Sequence, residues 1–362
     1  MIIASKIDKI FVTLHSSHNF TDMTTENPYV KQFPEMMAGK TVLYCHGFGS
    51  SGQSGTVTRL RTVMPNAKVV APDLPVHPAD ALALLHDICQ QKQPALIIGT
   101  SMGGMYAEQL YGYDRICVNP AMEMADTMRA HGMTGTQQFQ NPRQDGIQEF
   151  YVDKALIKEY REVTEQRFSG TTDKERGRVY GLFGDADTTV DTYDLFRDQY
   201  PLSLHFHGEH RMNDKSFMHS VVPVIRWIDD RQQKRERPVI YIGIESLANG
   251  SLTTTEKGPQ PFPSALKAVR MLIEHYQVYF VAPADGSAAA ITEAWLEEYV
   301  NVPAWHHTIY TWRRDLLYGD YLIAASQGRK LEGALATVIN FGSDTFKTWD
   351  DIIEYFSRLG GQ

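Results

Sequence analysis

The 362-residue chain contains three cysteines, too few for a disulfide framework, and Cys45 and Cys117 lie in apolar, strand-like runs that suit small buried thiols. Such sparing use of cysteine points to a reducing, cytoplasmic setting. Positive charge is also short: the formal net charge is -8. Without clustered Lys and Arg there is no footprint for nucleic acid or for an anionic membrane surface. The opening MIIASKIDKI lacks the basic start and unbroken apolar stretch of an export signal, and no later run approaches a membrane-spanning length. Internal repeats and low-complexity tracts are absent as well.

What is present is a chain with 43% hydrophobic and 22% charged residues, long enough for two ordinary cores. Residues 1–38 mix polar and apolar types without a period and read as an extension, with one strand possible at 9–14. From residue 39 to 230, short apolar runs at 41–45, 68–71, 95–98, 116–118, 179–183 and 202–206 alternate with helical spacing. That alternation predicts an α/β fold with a doubly wound, mostly parallel sheet covered on both faces. A last helix at 221–228 meets the charged run DDRQQKRER, of which 231–237 reads as a linker. A second, smaller Rossmann-like α/β series occupies 238–362, with strands at 238–244 and 278–282 and helices at 264–275 and 352–359.

The most informative local pattern is Gly99-Thr100-Ser101-Met102-Gly103-Gly104, which follows an apolar run and precedes helical spacing. A strand that reverses into a helix within a few residues needs glycine beside the serine, because neighbouring Cβ atoms would collide. The serine is lifted above the sheet and becomes a candidate nucleophile. A hydroxyl is a weak nucleophile at neutral pH, so it needs a base, an acid to orient that base, and donors for the oxyanion. Tyr44-Cys45-His46-Gly47-Phe48 ends the first strand, which places the backbone N–H groups of Phe48 and Met102 as the oxyanion donors. Asp187 in Gly184-Asp185-Ala186-Asp187-Thr188-Thr189-Val190 is the leading acid, with Asp185 and Asp191 as competitors. His210, just past the glycine turn at Gly208, is the leading base; His207, His219 and His46 are the alternatives. His46 better suits a structural hydrogen bond at its strand end. Met122, Met124, Met128 and Met133, in the covering segment 121–178, suit either an adaptable acyl pocket or plain helix packing.

Around this elbow, His46-Gly47-Phe48 with Ser50-Ser51, Pro72-Asp73-Leu74-Pro75 with His77-Pro78, Val118-Asn119-Pro120-Ala121, Gln140-Asn141-Pro142 and Gly208-Glu209-His210 resemble the small esterase family related to the bacterial YqiA and YcfP proteins, within the α/β-hydrolases. The resemblance implies a compact serine esterase or thioesterase with little or no lid. It departs at the acid loop, where two extra residues stand between Gly184 and Asp187.

Residues 238–362 resemble the haloacid-dehalogenase-like phosphatases, particularly their 5'-nucleotidase-like members, in Val239-Ile240-Tyr241-Ile242, Pro261-Phe262-Pro263, Arg314-Asp315-Leu316-Leu317-Tyr318-Gly319-Asp320 and Asn340-Phe341-Gly342 with Trp349. That family implies an aspartate nucleophile after its first strand, a second aspartate two residues on, a hydroxyl after the next strand, a basic residue and acidic magnesium ligands. Here Gly243, Glu245, Ala282 and Ala324-Ala325 stand at or near those positions, although Asp320 remains and Arg314 suits the basic position. A pseudophosphatase is expected.

The combined expectation is a serine hydrolase that cleaves a small-molecule acyl ester or thioester through an acyl-enzyme, with Ser101, His210 and Asp187 as its triad and neither metal nor cofactor. Two alternatives stand beside it: a phosphatase in the second half, and a non-catalytic binding or assembly role, including a homodimer.

Overall fold

Continuous apolar runs, rather than alternating ones, mark strands buried on both faces, and the chain folds accordingly. The computed structural model describes residues 29–250, 252, 258–301, 307–325 and 334–359; the possible strand at 9–14 lies outside them. In chain order the first strands are β1 (Thr41–Cys45), β2 (Lys68–Val70), β3 (Leu96–Thr100), β4 (Arg115–Val118), β5 (Gly135–Gln138), β6 (Glu149–Val152), β7 (Val179–Gly184) and β8 (Ser203–Phe206). Six of them form one sheet in the order β2-β1-β3-β4-β7-β8, with every pairing parallel. Successive strand residues point to opposite faces: Leu43, Cys45 and Ile97 join one buried cluster, while Val42, Tyr44, Leu96 and Ile98 join another. Helices Pro78–Lys92 and Met102–Glu108 contribute to the first cluster, and Gly55–Val63 and Val222–Gln233 to the second.

Met36 and Met37, read as part of the extension, are buried in the second cluster. Between β4 and β7 the chain adds helices Met124–Ala130 and Lys154–Thr164 and an antiparallel hairpin, β5 with β6. Sequence reading missed this hairpin because each strand has only four residues and β5, Gly-Thr-Gln-Gln, is polar, too little for a period to show. The charged run is exposed at 231–234 and 236 and intermediate at 235 and 237. The helix continues to Gln233, Lys234 ends it in the left-handed region at φ 50°, and Arg235 and Arg237 turn back to pair with Asp230 at 2.7 and 2.6 Å.

A second parallel sheet follows, from β9 (Val239–Gly243), β10 (Gln277–Ala282), β11 (Thr308–Tyr310), β12 (Tyr321–Ala325) and β13 (Thr337–Phe341), in the order β11-β10-β9-β12-β13. It has a core of its own, centred on Ile242, Phe280, Ile323 and Trp349. The halves touch through Trp227, which stacks on His307 with ring centroids 4.7 Å apart, and through Lys31 and Glu274 at 2.7 Å. Among the described residues, no helix is long and apolar enough to cross a membrane.

Candidate active site

Ser101 stands between the end of β3 and helix Met102–Glu108 at φ 55°, ψ −121°, a conformation that costs an L-residue on the order of 1–3 kcal/mol. The surroundings enforce it. Ser101 N–H donates to the Val118 carbonyl at 2.9 Å, and its own carbonyl accepts from Ala121 N–H at 3.1 Å, so β4 grips the turn from both sides. A Cβ on Gly99 would lie 2.1 Å from the Gly103 carbonyl oxygen, and one on Gly103 would lie 2.0 Å from the Cys45 oxygen. Both glycines are therefore required by contact, and the serine hydroxyl is left projecting from the carboxyl edge of the sheet.

His210, in the loop after β8, brings Nε2 to 2.9 Å from Ser101 Oγ and Nδ1 to 2.7 Å from Asp187 Oδ2. An ionised carboxylate only accepts, so Nδ1 carries the proton and the Nε2 lone pair faces the serine hydroxyl. Asp187 Oδ1 accepts from the backbone N–H groups of Thr189 and Val190 at 2.7 and 3.1 Å. Burial opposes its ionisation, but the His210 hydrogen bond and charge and these two N–H donors outweigh it and hold the carboxyl below its usual range. Of the competing aspartates, Asp185 binds His207 Nδ1 at 2.5 Å and Gly208 N–H at 3.0 Å, which secures the glycine turn; Asp191 is exposed. The two extra residues of the acid loop thus form a turn of their own, closed by Asp187 N–H on the Gly184 carbonyl at 3.1 Å.

His46 is buried and engaged elsewhere. Its Nδ1 donates to the Gly47 carbonyl at 2.8 Å and its Nε2 accepts from Leu74 N–H at 2.9 Å, while burial pushes it down to about 4. A neutral imidazole with both nitrogens occupied ties the end of β1 to the chain after β2. His219 lies in the helical segment after the base loop, away from Ser101, and lines a different cavity. Gly47 passes directly beside the serine: a Cβ there would be 3.4 Å from Ser101 Cβ. Phe48 follows, its ring edge-on to Phe150 at 5.1 Å and to Tyr160 at 6.0 Å, so its backbone is held on one side of Ser101. Met102 lies on the other, as the first residue of a helix, where N–H groups have no partner within the helix.

Asn119 is a residue of the site whose contacts sequence reasoning missed. Held at φ 43° just after β4, its Oδ1 accepts from Gly184 N–H at 2.7 Å, and its Nδ2 donates to the carbonyls of Glu209 and His210 at 3.2 and 3.0 Å. One amide thereby joins the start of the acid loop to the base loop. The signal was present in Val118-Asn119-Pro120-Ala121, but the partners are about 65 and 90 residues away in sequence, beyond any local pattern.

The covering hairpin is fastened to the loop after β1. Gln140 N–H donates to the Gly49 carbonyl at 2.7 Å, Asn141 Nδ2 to Ser50 Oγ at 3.0 Å, and Ser51 Oγ to the Pro142 carbonyl at 2.6 Å. Asp73 completes the cradle by accepting from Gly52 N–H at 2.8 Å and Gln144 N–H at 2.6 Å. Between the hairpin and Ser101 and His210 lies a cleft of about 970 Å³, where Phe48, Met124, Met133 and Phe150 face Gln137, Gln138 and Arg211. All four methionines belong to or pack against the first core cluster, and Met124 and Met133 also line the cleft.

The carboxyl edge of the second sheet is different. Gly243 ends β9, and the Glu245 carboxylate folds back over it, so that a Cβ on Gly243 would lie 2.5 Å from Glu245 Oε1. Arg314 grips that carboxylate with both terminal nitrogens, at 2.5 and 2.8 Å. Ala282 and Ala325 end β10 and β12. Asp320 is at the opposite edge, accepting from Val239 N–H at 2.7 Å at the start of β9, so it is no remnant of a catalytic set. Magnesium prefers several hard oxygen ligands, and these residues do not supply them. Among the described residues no group of three His, Cys, Asp or Glu side chains is placed to hold a metal.

The parallel sheet and the strand–serine–helix elbow define an α/β-hydrolase fold. Residues 41–215 match the model of a family described as "Uncharacterised protein family (UPF0227)". The chain is also 25% identical over 154 residues, 35% of its length and 89% of the other's, to a putative 5'(3')-deoxyribonucleotidase of Vibrio phage KVP40. Similar solved structures include Est1E from Butyrivibrio proteoclasticus with ferulic acid (14% identity, 56% of this chain and 90% of that one, TM-score 0.38). A thioesterase domain from the curacin biosynthetic pathway is another (17%, 55% and 92%, 0.32).

Proposed function

We propose that the chain is a serine hydrolase of carboxylic esters or thioesters, acting through an acyl-enzyme. The observation that carries this reading is the continuous hydrogen-bond chain from Ser101 Oγ through His210 to Asp187, opening on the large cleft. His210 Nε2 takes the hydroxyl proton as Ser101 Oγ attacks the acyl carbon, and the Phe48 and Met102 N–H groups receive the charge that develops on the carbonyl oxygen. The tetrahedral adduct collapses, the alcohol or thiol leaves with the proton from His210, and water repeats the sequence to release the acid. Asp187 stays ionised, orients the ring and stabilises the imidazolium. Tests are turnover of p-nitrophenyl butyrate and covalent labelling by a fluorophosphonate. Both are expected in the wild type and absent in Ser101→Ala; equal behaviour of the two proteins overturns the assignment.

For residues 238–362 the proposal is a phosphatase fold without phosphatase chemistry. Gly243 has no carboxylate to attack phosphorus, and the Glu245–Arg314 pair occupies the space above it. Magnesium-dependent phosphate release from a deoxynucleoside monophosphate, persisting in Ser101→Ala, would contradict this.

A further inference from the structure

A second cavity, of about 420 Å³, lies where the two halves meet, between residues 29–36, the stretch 218–226 and helix Ala265–His275. Its size falls within the range of small-molecule sites. Its walls are largely apolar, from Phe33, Met36, Met218, Val222, Pro223 and Met271. Set into them is Arg226, only 7% exposed, whose buried Nε has no hydrogen-bond partner among the described residues. A guanidinium keeps its charge and offers only donors, so Arg226, which lines the cavity, presents donor groups and a positive charge to whatever enters.

The charge around it has one sign in excess. Lys31, Arg226, Lys267 and Arg270 line the cavity against Glu35 and Glu274, four cationic groups to two anionic ones. Glu274 is already taken by Lys31 at 2.7 Å, and Glu35 is exposed. This local surplus of two positive charges stands in a chain of net charge -8. Burial, with Arg237 nearby, pushes Arg226 down to about 10 against the opposing pull of Asp230, Glu274 and Glu35, and burial lowers Arg270 as well. His219, pushed down to about 4 by burial and by Arg270, supplies a neutral ring beside them.

We propose that this cavity binds an amphiphilic carboxylate, its head accepting from Arg226 and facing Arg270, and its apolar tail lying against Met218, Val222 and Met271. A planar carboxylate matches the donor geometry of a guanidinium, and the methionines adapt to a flexible chain. The site is separate from Ser101 and holds whether or not the hydrolase reading does.

The test is calorimetry and thermal melting of the full chain with sodium decanoate below its micelle concentration, with decanol and decyltrimethylammonium as controls. Decanoate is expected to bind one to one and raise the Tm, while both controls bind at least about tenfold more weakly. Arg226→Met and, separately, Arg270→Gln are expected to lose about tenfold or more in decanoate affinity, whereas Ser101→Ala binds as the wild type does. Arg226→Met fills a similar volume without a buried charge, so its own Tm without ligand is expected to be equal or higher; should it fail to fold, Arg270→Gln decides. Absence of decanoate binding, equal binding of decanol, unchanged affinity in the arginine variants, or loss of binding in Ser101→Ala would each overturn the proposal.

Discussion

The two parallel sheets present their carboxyl edges in opposite ways. In the first, the chain leaves β3 through a strained serine, and two later loops bring an imidazole and a carboxylate within hydrogen-bond reach of it. In the second, the chain leaves β9 through Gly243, and the carboxylate two residues on bends back into an arginine. The same type of scaffold therefore supports either an open edge, read here as the reactive one, or a sealed one. What differs is whether the polar groups at the edge are satisfied by each other or left facing a cleft. At the first edge Ser101, Phe48 and His210 border an open volume; at the second, the Glu245–Arg314 pair consumes the acceptor and the donors.

The sharpest way to test that contrast is to weaken the reactive edge. Asp187→Asn leaves the geometry nearly intact but offers His210 the wrong partner, and is expected to reduce kcat by about 10³–10⁴-fold on p-nitrophenyl butyrate. Asp191→Asn, measured alongside it, is expected to match the wild type; the reverse ranking would move the acid to Asp191. Next is Asn119→Ala, which unties the acid loop from the base loop. Misplacing a base by a fraction of its hydrogen-bond length costs up to about 10²-fold, so kcat is expected to fall within that limit with KM little changed, and fluorophosphonate labelling to slow in proportion. An effect confined to Tm would reduce Asn119 to a purely structural tie.

The sealed edge should answer in stability rather than rate. Arg314→Met strands the Glu245 carboxylate, which is partly exposed, and is expected to cost about 1–3 kcal/mol in urea unfolding. Adding Glu245→Gln should recover part of that loss, with esterase activity per folded molecule unchanged throughout. A further effect, confined to a pH window, concerns His46. Between pH 6.5 and about 4 the unfolded chain binds a proton that the buried His46 does not accept. Its contribution is therefore complete above 6.5 and lost as pH falls through that window, by up to about 3 kcal/mol. His46→Gln is expected to melt lower at pH 7.5 but with a flatter decline in Tm toward pH 4.5.

Particular residues show how far the amino-acid order reaches by itself. The elbow is legible because its requirements are local: an apolar strand, glycines where a Cβ would lie about 2 Å from a backbone oxygen, and helical spacing immediately after. The first parallel sheet is legible for the same reason, since a strand buried on both faces must be apolar throughout; of the second sheet only β9 and β10 are, because β11 and β13 are partly exposed and carry no continuous apolar run. Choosing among Asp185, Asp187 and Asp191 is not local, because all three stand in one loop and only the packing of β7 beside β8 determines which carboxylate faces His210. The methionines that reach the cleft, the hairpin over it, the displacement of Asp320 to the far edge and the Arg226 Nε without a hydrogen bond between the halves likewise depend on contacts between residues distant in sequence. Short-range periodicity therefore determined the elements and the serine, while the tertiary structure decided the partners, because a hydrogen bond across 65 or 109 residues leaves no periodic trace in the chain.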